Sequence, residues 1–391
     1  MKNKLYYLMG FGISGFGDGI QQIAIMWYVY HLTSEPFSIG FMIAIYYVPS
    51  IFLTPFVSVY VDHRNSKQIV VIMDFIRFFI VGILAISIYY EIRSASVIYM
   101  LQFLLAVCYT IYKPASQSFI KEAFSQYDIP FIVSKSAALG EAALITGSGF
   151  SGILLIHVSM PLCFLLNAIT FLCASILYAQ VVLCYAKQTT SVPISYSSSL
   201  KEGLLYVHRT RGMKYLLFLS ILNSISIQMT TTLLLPLVKE QGGGSDLYAL
   251  LDISFAVGGI LAGITVTFFL NRFRHRAIVF TMSGMMLTSL LLAVTQYLFL
   301  IPIFIFALGL FTMSHLIATQ TLIQLSASKE YIGRVVGIRT ILASSIKIGA
   351  ALATGFLVSH IGVYHLFLSF SMIMLFSFFT LRYMKHVSIP K

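Results

Sequence analysis

Charge is what this sequence has least of. Asp, Glu, Lys and Arg make up 10% of its 391 residues, against about 25% in ordinary soluble domains. With 58% of the chain apolar, that shortage excludes a soluble globular protein and indicates an integral membrane protein. The apolar runs are continuous rather than alternating, which excludes a β-barrel and leaves helices. Acid is the scarcer sign: 13 Asp and Glu against 25 Lys and Arg, for a net charge of +12. In a soluble protein that excess would point to nucleic acid; here the basic residues flank apolar runs and set topology instead. Cysteine is sparse. Cys108, Cys163, Cys173 and Cys184 fall within or at the edge of apolar runs, without metal-ligand spacing, so buried thiols without disulfides are expected. No G-x-x-x-x-G-K-S/T loop, no H-E-x-x-H and no G-x-S-x-G occurs. ATP is therefore not the direct energy source, and neither an enzyme nor a bound cofactor is expected. Lys2 and Lys4 precede an apolar run too long for a cleaved signal peptide, so the first helix reads as an uncleaved anchor.

Twelve apolar spans can be drawn, at about 5–31, 37–61, 68–90, 97–118, 131–156, 160–184, 214–238, 247–270, 277–297, 299–324, 337–359 and 363–384. With the N-terminus inside, twenty of the 25 Lys and Arg residues fall on interior loops and only Arg93 and Lys239 outside. That bias predicts cytoplasmic termini and an even helix count in a cytoplasmic membrane. The longest loop splits the chain into an N-terminal six-helix half (1–184), a cytoplasmic linker (185–213) and a C-terminal six-helix half (214–391). Within the linker, SLKEGLLYVHRTRG puts Leu200, Leu204 and Val207 on one helical face with basic residues opposite, as in a helix lying on the inner membrane surface. The halves echo each other: the loop VDHRNSK after the second span matches the short basic LNRFRHR after the eighth.

One span breaks the apolar rule. The stretch Leu5 to Leu32 carries Asp18 near its middle, where an ionised carboxylate costs about 2.5–3.5 kcal/mol on insertion scales. Ser14, Asp18 and Gln22 share a helical face. Gly10, Gly12, Gly15, Gly17 and Gly19 surround them and would admit a close neighbouring helix.

Two six-helix halves joined by a cytoplasmic link are the layout of the major facilitator fold. At VSVYVDHRNSKQ the resemblance becomes specific. Asp62 and Lys67 match that superfamily's loop signature, with Arg64 displaced by one, Ser58 for the glycine, and His63 and Ser66 for the arginines. The chain is similar to the branch of bacterial macrolide and siderophore exporters in GDGIQQIAIMWYVYHLT, MDFIRF, YKPASQSFI, LNAITFL, LKEGLLYVHRT and YIGRVVGIRT. The glycine-rich antiporter signature of the fifth helix is partial here, at TGSGFSG, Thr146 to Gly152. The resemblance implies an all-α membrane protein of twelve helices in two pseudo-symmetric halves, with helices 1, 4, 7 and 10 lining a cavity.

Polar stripes fall on those helices: Gln22 on the first, Gln102, Tyr109 and Lys113 on the fourth, Asn223 and Gln228 on the seventh, His315 and Thr319 on the tenth. Isolated Ser and Thr are expected to bond to their own backbone; Gln, Lys and His are read as cavity-lining, as is Lys347. Asp18 and Glu141 are the candidate proton carriers, because a carboxyl embedded in a membrane is costly to leave charged. Lys113 is a possible partner for Asp18, and Lys347 for Glu141. Asp62, Arg64, Lys67, Asp74 and Arg77 are read as a conformational gate, with Asp74 and Arg77 paired three apart on one helix beside the basic loop.

The expected function is a proton-coupled secondary transporter that exports an amphipathic small molecule. The partners are that substrate, protons and membrane lipid, without nucleic acid, and the chain acts as a monomer. Trp27, Tyr28, Tyr109 and Tyr112 would supply aromatic surface. A cationic macrolide-like drug would use Asp18 or Glu141; a carboxylate-rich siderophore, slightly favoured, would use Lys113, Lys347 or His315. A nutrient importer on the same fold and a membrane scaffold are the alternatives.

Overall fold

A computed structural model describes residues 2–62, 64–125, 127–157, 159–184, 196–210, 212–273, 275–295, 297–327 and 331–378. Thirteen helices account for nearly all of them: α1 (Lys2–Thr33), α2 (Pro36–Asp62), α3 (Ser66–Tyr89), α4 (Ala95–Ala123), α5 (Ile129–His157), α6 (Met160–Ala179), α7 (Tyr196–Arg209), α8 (Met213–Glu240), α9 (Ser245–Phe273), α10 (His275–Val294), α11 (Ile301–Ser326), α12 (Ile332–Ile361) and α13 (Val363–Ser377). Among the described residues nine helices are long and apolar enough to cross a membrane: α2, α3, α4, α6 and α8 to α12. In lipid only a helix or a closed barrel satisfies its own backbone, so runs of this length become helices whatever their β-branched content. Local chemistry sets the ends. Asn65 caps α3 by accepting from the Gln68 N–H at 3.1 Å. Proline stands at the start of α6 and of α11. Gly212 and Gly362, at φ 85° and 80°, make the left-handed turns before α8 and α13. The sixth span ends earlier than its apolar run suggests, at Ala179 rather than 184.

The chain forms two compact units, Met1–Val192 and Pro193–Lys391. In the first, α1 packs on α5 and α6, and α3 packs on α4 and α6. The glycines of α1 serve two neighbours, not one. Gly12, Gly15 and Gly19 face α5, whereas Gly10 and Gly17 face α6. At the tightest crossing, Gly147 of α5 lies directly against the carbonyl of Phe16, and Gly19 against that of Leu144, leaving no space for a methyl group on either. Ser148 and Ser151, which stand where the antiporter signature has proline and glycine, donate to the carbonyls of Gly19 and Ile20 at 3.4 and 3.0 Å. They bolt the crossing together. Gly147→Val is therefore expected to destabilise the first unit by about 1–3 kcal/mol or more, because the obstructing atom is backbone and cannot rotate away. Gly82→Ala, with nothing within 4 Å, should melt with the wild type. Thermal unfolding of the purified variants checks both.

In the second unit α8 is buried along most of its length against α11 and α12, and α9 crosses α11. Helix α7 packs on α12. Glu202 pairs with Arg334 at 2.9 Å, and the Tyr206 and Tyr331 rings stack at 4.5 Å. Among the described side chains of α7, Gly203 and Val207 are buried against the protein and Leu204 is exposed; the side chain of Leu200 lies outside the described part of the structure. The four cysteines are free, and Cys173 and Cys184 are exposed, not buried as expected.

Candidate functional site

Among the described residues, two apolar clusters fill the interior of the first unit. One gathers Ile20, Val81, Leu84, Leu105 and Phe171; the other gathers Tyr7, Val70, Tyr112, Phe119 and Tyr178. Between them lie the charges. Arg77 of α3 donates to Asp74 one turn back at 3.1 Å and across to Asp18 of α1 at 3.3 Å. The guanidinium lies over the Phe171 ring at 4.1 Å, with the Tyr112 and Tyr109 rings at 5.4 and 5.7 Å. This cage of aromatic faces suits a cation that cannot reach water.

The two carboxylates differ in access. Asp74 is wholly buried, with Oδ2 lacking a partner among the described residues. The Asp18 side chain is 34% exposed and forms part of the wall of a cavity of about 570 Å³, a volume suited to a small molecule. Helix α1 contributes Tyr7, Phe11 and Ser14 to this cavity, α4 contributes Tyr109 and Lys113, and α5 contributes Val133 and Leu144.

This arrangement corrects three expectations. Asp18's basic partner is Arg77, not Lys113. Asp74 and Arg77 do not brace the basic loop: their residue numbers put them about 12 and 16 Å along α3 from its start, drawn into the charge cluster. Gln22, which continues the stripe of Asp18, is exposed; its neighbour Gln21 turns inward and accepts from Asn167 of α6. Asn167 in turn accepts from Thr170 at 3.0 Å, and Gly17 packs against both. Gln102 is half-buried, with Oε1 unpartnered among the described residues. The side chains of Asp62 and Glu141 lie outside the described part of the structure.

The second unit holds its polar residues differently. His315 is fully buried: Nε2 donates to the Leu219 carbonyl of α8 at 3.0 Å, and Nδ1 meets the Thr281 hydroxyl of α10 at 3.0 Å. It ties three helices together inside the unit, which does not fit the expected cavity-lining position. Thr319 donates to its own helix at His315. Asn223 and Gln228 are buried, and Asn223 Oδ1 has no partner among the described residues. Lys347 is half-buried on α12.

The sequence profile of the Major Facilitator Superfamily matches residues 7–346 and 216–390. The chain belongs to the major facilitator superfamily. It is 22% identical over 376 residues to macrolide efflux protein A of Streptococcus pyogenes, covering 94% of this chain and 92% of that one. Its fold matches the crystal structure of the nucleoside transporter NupG with a TM-score of 0.79, at 14% identity and complete coverage of both chains. It also matches the D-xylose–proton symporter with a TM-score of 0.72, at 14% identity, over 96% of this chain and 97% of that one.

As a member of this superfamily the chain has its basic loop between α2 and α3. Arg64 is exposed there, 5.9 Å from the Tyr60 ring, and Lys67 is half-buried. The sequence reading missed Glu122. Its buried carboxylate accepts from the Ser66 hydroxyl at 2.7 Å and the Ser66 N–H at 3.3 Å. The end of α4 thus holds the start of α3, where a negative charge also complements the helix dipole. The superfamily signature has arginine where Ser66 stands; here serine makes the contact to the acid. Nearby, Lys4 grips Asp128 at 2.6 Å, and that hydrogen bond holds the Asp128 carboxyl below its usual range.

Proposed function

We propose that this transporter is a proton-coupled exporter of an amphipathic small molecule across the cytoplasmic membrane, with both termini inside. The orientation is supported by the charge bias of the loops. The observation that carries the mechanism is one guanidinium between two carboxylates. With both acids ionised the cluster holds one negative charge too many for a low-dielectric site. Asp74 is sealed, so the surplus is available at Asp18, on the cavity wall. A proton on Asp18 neutralises the cluster. Loss of that proton restores the charge, and the two states differ in what the cavity will hold. A difference of that kind is what lets a gradient drive a conformational equilibrium; one charge crossing 100 mV supplies about 2.3 kcal/mol.

Export is supported by the likeness to a macrolide efflux protein over nearly the whole chain. The cavity's aromatic rings from Tyr7, Phe11, Tyr109 and Tyr112 suit a bulky, partly apolar cargo. The test is transport by the purified protein in vesicles with the cytoplasmic face outward. A radiolabelled amphipathic cargo, tried as a macrolide and as an organic acid, should accumulate inside when the lumen is made acidic, and the accumulation should collapse with a protonophore. Accumulation only when the gradient is reversed would establish symport, which the D-xylose–proton symporter is named for, and with it import by this chain.

A further inference from the structure

One feature of the cavity is unused by proton coupling. Tyr109, Lys113, Gln117 and Lys121 are four apart on α4 and all line the cavity. They stand above one another at about 6 Å intervals, so that the two lysines are about 12 Å apart along the helix. Lys113, Gln117 and Lys121 are exposed. Neither lysine has an ion-pair partner among the described residues. The α5 wall is different: Ile129, Val133 and Leu144 give it apolar surface, beside Gly140 and Ser136, whose hydroxyl is bonded to the Ile132 carbonyl of its own helix. Snorkelling to a headgroup region is the ordinary use of a lysine near a helix end. It does not account for two lysines with an amide donor between them on the cavity-lining face.

We infer that the Lys113–Gln117–Lys121 ladder reads an acidic group on the substrate, which is an amphipathic organic acid whose apolar face packs on α5. This deepens the reading of the cavity as the transport site and rests on it. It separates the two jobs in space: Asp18 handles the proton at one end, and the α4 donors handle the cargo's negative charge along the wall. A carboxylate held by charge-assisted hydrogen bonds from lysine is bound more strongly than its neutral ester.

The experiment measures equilibrium binding to the purified protein in phosphatidylcholine nanodiscs, with indomethacin as the acid and its methyl ester as the matched neutral probe. The acid should bind at least tenfold more tightly. In Lys113→Gln/Lys121→Gln that preference should fall to within twofold while ester affinity is kept, which also shows that the variant is folded. Lys113→Arg/Lys121→Arg should retain it. Equal binding of acid and ester, binding of neither, or a preference that survives the double glutamine change overturns the inference. Nanodiscs with added phosphatidylglycerol separate the two sources of negative charge. Unchanged acid binding supports a soluble substrate; lysine-dependent loss of it assigns the ladder to lipid headgroups and overturns the substrate assignment. No gradient is used, so failed export with acid-selective binding counts against the proposed function alone. Export without acid preference counts against the ladder alone.

Discussion

Arg77→Met is expected to abolish the folded transporter. Methionine fills the aromatic cage but leaves Asp74 and Asp18 without their cation. Asp74 is wholly buried, and among the described residues its one hydrogen bond to a side chain comes from Arg77. Removing one partner of a buried ion pair costs about 3–5 kcal/mol, a large part of the 5–15 kcal/mol that holds a typical domain together. The expected readouts are loss of monodisperse protein on solubilisation and a sharply lowered melting temperature. The diagnostic variant is Arg77→Met/Asp74→Asn. An amide needs no counter-charge, so the double change should recover folded protein that transports poorly. Wild-type melting in Arg77→Met would show that the guanidinium does not balance the two acids. Absence of recovery in the double variant would shift the weight to packing against Phe171, Tyr112 and Tyr109.

Much of the fold was legible because lipid simplifies the problem. Runs of about twenty apolar residues have one local solution, so the helices α1 to α6 and α8 to α13 fall where hydropathy puts them to within about five residues at each described end, the expected end of the last span lying outside the described residues. The glycines of α1 announced close packing correctly, but periodicity could not say that three of them face α5 and two face α6. The charge cluster was half-visible. Asp74 and Arg77 are three apart and were paired from sequence alone. Asp18 is 59 residues from Arg77, and nothing local relates them. Lys113 looked as good a partner until the packing of both α1 and α3 on α6 was known. Glu122 was overlooked because a glutamate at a helix end next to Lys121 looks like solvated surface. It is buried only because α3 begins against it. His315 shows the converse. Its stripe on α11 was real, but that face meets α8 and α10, and the ring is consumed by a carbonyl and a hydroxyl. On α7 the expected apolar face is divided: Val207 turns to the protein and Leu204 away from it. The apolar residues lie on both sides of Gly203, and the close approach of Arg334 and Ile338 to that glycine chose the face.

Asp18→Asn should give the opposite result to Arg77→Met: an intact protein that cannot do work. The amide keeps the size and the acceptor oxygen of the carboxylate but cannot titrate. Arg77 stays in place because Asp74 still holds it at 3.1 Å, and the balance becomes one cation to one anion. Folding should therefore be preserved. Coupling should not be, because the variant is fixed in the neutral form that the wild type reaches only by taking up a proton. In vesicles with an acidic lumen, accumulation of whichever labelled cargo the wild type concentrates should fall to background. Exchange of labelled for unlabelled substrate down its gradient should continue, since it requires no net proton movement. Asp18→Glu restores a titrating group about one methylene further from the helix and should recover part of the uphill transport. Stopped-flow measurement of substrate-induced proton release in lightly buffered solution gives an independent readout: release from the wild type, none from Asp18→Asn. Uphill accumulation by Asp18→Asn would move the carrier role to Glu141 and leave Asp18 as a residue that fixes α1 against α3. Loss of exchange together with accumulation, in a protein that still folds, would mean that Asp18 positions the cargo rather than the proton.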